Sequence, residues 1–159
     1  MSEKSKSIKE ELKDAAMQLS EMDPVVTLIV NPFSSKRRSD IASIIDKEYK
    51  KFGNQVDRQN FGVVLLGLSQ INKALDYLNT EAEYSAFLAV PYVIKRGIII
   101  NYHANHKGRK LESITFAAPV DINGTVGNMG VVVQRQQGTS RYKTHRVIMP
   151  DGTDFVFKE

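Results

Sequence analysis

Residues 113–136 read SITFAAPVDINGTVGNMGVVVQRQ, and the fold class turns on them. SITFAAPVDI is apolar and partly β-branched, as a strand requires. NGTVGNMG is dense in asparagine and glycine and reads as a turn. GVVVQRQ then reads as a strand, QGTS as a turn and RYKTHRVIM (141–149) as the return strand of a hairpin. Upstream, IIINYHA (98–104) is a further strand candidate. Downstream, the turn PDG (150–152) leads into TDFVFKE.

Before Gly97 the pattern is different. In SIKEELKDAAMQLSE (7–21), Ile8, Leu12, Ala15 and Leu19 recur at helical spacing, and Ser7 with Glu10 fits a capping box. SDIASIIDKEYKKFG (39–53) has the same period, with Gly53 as its stop. LSQINKALDYL (68–78) carries Ile71, Ala74, Leu75 and Leu78 on one face. TEAEYSAFLAVPYVIKRG (80–97) opens on Thr80 and Glu83 as a second capping box and closes on Lys95 and Arg96, and Pro91 is expected to kink or shorten it. DPVVTLIV (23–30) reads as a short buried strand and FGVVLLG (61–67) as another. Helices first and consecutive strands afterwards predict an α+β fold. Its N-terminal helices pack on a mostly antiparallel sheet formed largely by residues 97–158. Residues 1–6 are expected to be a disordered tail and 7–159 a single domain.

Composition narrows the function. Apolar residues make up 42% of the 159, enough for a core. No apolar run is long enough to span a bilayer, and the charged N-terminus lacks the apolar centre of a secretory signal. The expectation is a cytoplasmic protein without a membrane partner. With no cysteine, disulfides, thiolate catalysis and cysteine-ligated zinc are excluded. The net charge of +4 is uneven: residues 101–149 hold seven Lys and Arg against Glu112 and Asp121. A basic C-terminal half suits a polyanion, and it equally suits a merely solvated surface.

Two basic stretches carry the chemistry. NYHANHKGRK (101–110) holds His103, His106, Lys107, Arg109 and Lys110. The two histidines have the look of metal ligands, but the adjoining cations repel a dication, so no metal or other cofactor is expected. No nucleophile elbow, P-loop or dinucleotide fingerprint is present. In RYKTHRV, strand alternation puts Arg141, Lys143 and His145 on one face and Tyr142, Thr144 and Arg146 on the other. Which face is inward stays open, as does whether Tyr142 stacks on a base or belongs to the core. Histidines beside cations can support metal-free RNA cleavage: one group removes the 2′-hydroxyl proton, another protonates the leaving oxygen, and a cation stabilises the phosphorane. The plainer alternatives are a satisfied strand residue for His103 and a solvated turn for His106 and Lys107. A two-histidine mechanism requires His106 to lie near His145.

VPYVIKRGIII, NHKGR, ITFAAPVDINGTVGNMGVVVQ and RYKTHRVIMPDG together resemble the nuclease-like domains of phage and mobile-element polyvalent proteins, of the barnase–EndoU–colicin–RelE-like superfamily. The resemblance spans about residues 22–157 and is strongest from Val90 to Gly152. It implies a metal-independent endoribonuclease or toxin-like effector, in a bacterial or phage-infected cell, within a longer parent chain. RNA would be its substrate, and an immunity or antitoxin protein a possible partner. By motif, His106, Lys107 and His145 are implied as catalytic, with His103 a further candidate. Arg109, Arg141, Tyr142, Lys143 and Arg146 would hold RNA or the transition state. Where relatives carry a polar Ser or His, this chain has Lys73, Ala74 and Leu75. If a catalytic group belongs there, the domain is an inactive binding module for nucleic acid or protein.

Overall fold

The dipeptide Asn123–Gly124 sets the register of the sheet. In a computed structural model, which describes residues 8–29, 38–59, 61–66, 81–103, 111–136, 141–150 and 154–156, both residues have positive φ, 53° and 86°. That is the requirement of a two-residue hairpin turn. Asp121 Oδ1 accepts the Gly124 N–H at 2.9 Å and holds the turn. The flanking strands pair without interruption from Ile122↔Thr125 to Leu111↔Gln136. The turn is therefore shorter than the eight residues its composition suggests, and Thr125–Gly130 belongs to a strand. Gly127 serves close packing: a Cβ there would lie 2.5 Å from the Pro150 Cβ.

In chain order the described elements are α1 (Ile8–Asp14), α2 (Ala16–Ser20), β1 (Thr27–Leu28), α3 (Arg38–Lys50), β2 (Gln55–Arg58), β3 (Gly62–Leu65), α4 (Glu81–Arg96), β4 (Ile98–His103), β5 (Leu111–Ile122), β6 (Thr125–Gln136), β7 (Arg141–Ile148) and β8 (Asp154–Val156). The fold is α+β, with few helices and a mixed, curled sheet. The strands run β1-β5-β6-β7-β3-β2, with β4 also beside β5 and β8 also beside β7. The expectation of a mostly antiparallel sheet from residues 97–158 is corrected here. β1, β2 and β3 come from the N-terminal part, and both β1–β5 and β3–β7 are parallel. Parallel neighbours need a long crossover; for β3 and β7 that connection includes α4, β4, β5 and β6. Three local expectations also change. DPVVTLIV yields only the two-residue edge strand β1, and Ile29 beyond it is 90% exposed. QVDR, between the expected helix 39–53 and the expected strand 61–67, forms the outer strand β2 with only Val56 buried. Helix 7–21 bends at Ala15, between α1 and α2, although Leu19 N–H still reaches the Ala15 carbonyl at 2.9 Å. The helix expected over 68–78 and the tail 1–6 lie outside the described residues.

Alternation along β5, β6 and β7 gives the sheet two apolar faces. Ile114, Phe116, Ala118, Val120, Met129, Val131 and Val133 join Phe87, Val90, Val93 and Ile94 of α4 in the main core. The opposite face meets the N-terminal helices: Leu19 is fully buried, and Leu12 lies against Gly130.

Pro91 does not end α4, which runs on to Arg96. A proline lacks the N–H that would bond the carbonyl four residues earlier, here Phe87. The buried Tyr49 hydroxyl of α3 donates to that same carbonyl at 2.7 Å, so a side chain from a neighbouring helix takes the place of the missing donor. Burial pushes the Tyr49 hydroxyl far above its usual pKa, which keeps it a donor. Tyr49→Phe is expected to cost about 1–3 kcal/mol in urea unfolding. A cost no larger than that of Tyr102→Phe, at an exposed ring, would contradict this role.

Candidate functional site

One end of the sheet gathers the chemistry. β4 ends at His103 and β5 begins at Leu111, so segment 104–110 leaves from this end. β6 ends at Gln136 and β7 begins at Arg141, so segment 137–140 leaves beside it. The β2–β3 turn lies at the same end, because β3 runs parallel to β7 with Val63 opposite Arg141.

On the α4-facing side of this end sits a connected polar and aromatic cluster. Register places Glu112 opposite Arg135, and Arg135 Nη2 donates to Glu112 Oε2 at 2.6 Å. The Tyr142 hydroxyl donates to the same oxygen at 3.1 Å. The Arg135 guanidinium lies over the Tyr142 ring, 4.7 Å from its centre. Phe61 stacks on Tyr142 at 4.5 Å and meets Phe116 edge-on at 5.2 Å. Burial first, and then the bond to Glu112, push the Tyr142 hydroxyl up to about 12, so it stays protonated and donates. Arg135 Nε is buried without a hydrogen-bond partner among the described residues. An unsatisfied buried donor is uncommon in a core and calls for an explanation. Below the cluster, Arg58 donates to the Ile94 carbonyl near the end of α4 at 2.7 Å and lies over the Phe116 ring. Burial lowers its pKa from the ordinary value.

β7 departs from simple alternation. Val133 is opposite Thr144 and Val132 opposite Arg146, so His145 is an extra residue at a bulge. Tyr142 and Thr144 are buried and Lys143 is exposed. The bulge brings Arg146 to the face of Lys143, with His145 beside it, instead of the face of Tyr142. The expected grouping of Arg146 with Tyr142 is therefore corrected. Both His145 and Arg146 are half-buried.

The candidates read from sequence separate accordingly. Tyr142 is buried under Phe61 and Arg135 and offers no free face for a base. Lys143, His145 and Arg146 share the opposite side of β7. His103 closes β4, opposite Ser113, and Arg141 opens β7. The row through His103, Ser113, Gln134 and Lys143 crosses three strand spacings, or ~14 Å at about 4.8 Å each, and His145 is two residues further along. His106, Lys107 and Arg109 lie outside the described residues. Sequence reasoning passed over Glu112 and Arg135, taking them only as charges. The available signal was the Asn–Gly turn, since counting outward from it puts the two opposite each other. Among the described residues no three His, Asp or Glu side chains cluster as metal ligands, and no helix is long and apolar enough to cross a membrane. Compared with family models, curated proteins and solved structures, the chain gives no match.

Proposed function

We propose that this chain is a metal-independent endoribonuclease-like domain of barnase/RelE-like type, acting at the sheet end from which segment 104–110 leaves. The observation that carries this reading is Glu112: a carboxylate held by a guanidinium and a tyrosine hydroxyl, one residue into the strand that follows NHKGR. Glu112 takes the proton of the ribose 2′-hydroxyl, and that oxygen attacks the adjacent phosphorus. Arg135 and Lys107 offset charge on the phosphorane. His106 protonates the leaving 5′-oxygen. Arg109 and Arg141 bind flanking phosphates, and Lys143, Arg146 and His145, on the opposite side of β7, attract the rest of the strand to this end of the sheet. DNA, lacking the 2′-hydroxyl, is bound without being cut. An immunity or antitoxin protein that silences the domain would cover this end.

A second reading, an inactive binding module, is favoured by the double occupation of Glu112 Oε2, whose lone pairs are already taken by Arg135 and Tyr142, and by Lys73–Ala74–Leu75. Histidine variants separate the two when RNA is incubated with excess chelator. His106→Ala is expected to abolish cleavage, and His145→Ala to weaken RNA binding while leaving kcat within about tenfold. An equal loss of kcat in both would return an acid–base role to His145. Salt-sensitive RNA binding with no cleavage by the unaltered chain would establish the binding module.

A further inference from the structure

Tyr102 presents an exposed aromatic ring, at 55%. Its direction follows from an irregularity in β4. Ile99 is opposite Phe116 and Asn101 opposite Thr115, so Ile100 is inserted between them. Without the insertion, Tyr102 and Ile99 would lie on opposite faces; with it, both follow their partners Ile114 and Phe116 to the side of the Glu112 cluster. Tyr102 is opposite Ile114, two residues along β5 from Glu112, the residue that accepts the Tyr142 hydroxyl. The irregularity is anchored from the other side of the sheet. Asn101 Nδ2 donates to Glu11 Oε1 of α1, and Glu11 Oε2 is buried without a hydrogen-bond partner among the described residues. A carboxylate is thus partly desolvated in the contact that fixes the bulge and with it the aim of Tyr102.

We infer that Tyr102 is a stacking platform for an unpaired nucleobase of single-stranded RNA, next to the phosphodiester held at Glu112 and Arg135. This rests on the function proposed above and adds the element that selects bases over bare phosphate. A ring on an edge strand, flanked by apolar Ile99 and on the side of the sheet that carries Arg135, combines a π-face with a cation, the pairing by which proteins hold single strands. Stacking tolerates all four bases, so it supplies affinity and position more than sequence preference.

The chain has no tryptophan, so Tyr102→Trp introduces a single indole at an exposed position. Titration with a single-stranded RNA oligomer is expected to quench it to saturation, and polyphosphate of matched charge to leave it unchanged. Tyr102→Ala is expected to weaken RNA binding about tenfold, with Tyr102→Phe close to the unaltered chain. RNA binding that leaves the indole emission unmoved, or equal quenching by polyphosphate, would overturn the stacking role while leaving the proposed function standing. Absence of RNA binding by the unaltered chain would overturn both.

Discussion

Glu112→Gln is expected to slow RNA cleavage about 10²- to 10⁴-fold, the range for loss of a positioned general base. The loss should fall on kcat. Glutamine keeps the shape of glutamate and still accepts a hydrogen bond, so the strand register survives. Arg135, half-buried with only 27% of its side chain exposed, loses its counter-charge, and a stability cost of about 1–3 kcal/mol is expected alongside. The two effects are separable: cleavage is measured well below the melting temperature, and binding of the same RNA is followed in parallel. Unchanged kcat in a folded Glu112→Gln variant would remove Glu112 from the reaction and leave it as a structural counter-ion for Arg135.

Gly97→Ala is expected to cost about 3 kcal/mol, near the top of the usual range for overpacking. Gly97 joins α4 to β4, and a Cβ there would lie 2.4 Å from the Val93 carbonyl oxygen and 2.8 Å from that of Ala117. Both obstacles are backbone, held by the helix on one side and the β4–β5 ladder on the other, so neither can swing away as a side chain would. The useful comparison is Gly53→Ala after α3. Gly53 has φ +72° but nothing within 4 Å of its Cβ position, so only left-handed strain of about 1–2 kcal/mol applies. Urea unfolding of the pair is expected to show the larger loss at Gly97. The reverse order would mean that the α4–β4 junction yields easily.

Local signals in the sequence located most elements because they depend on neighbours in the chain. The periodicities of α3 and α4, the stop at Gly53 and the strands β4 to β7 all have such origins. What escaped depends on partners far along the chain. β2 was hidden because QVDR gains its place by pairing with β3 and burying Val56 alone. The parallel β3–β7 pairing has no local signature. The bulges at Ile100 and His145 invert the faces that strict alternation would give, and that is why Arg146 was grouped with Tyr142. Pro91 was expected to disturb its helix because the compensating donor, Tyr49, lies on another helix. Of the candidate site, the basic residues were legible as composition. The carboxylate at its centre was not, because Glu112 stands out only once register sets it against Arg135 and Tyr142.

The measurement to make first is digestion of matched RNA and 2′-O-methyl RNA oligomers by the purified chain in excess chelator, with the product ends analysed. Metal-free attack by the 2′-hydroxyl predicts cleavage of the unmodified RNA alone, leaving 2′,3′-cyclic phosphate on the upstream fragment. No cleavage at high protein concentration, or cutting of both oligomers alike, would contradict it.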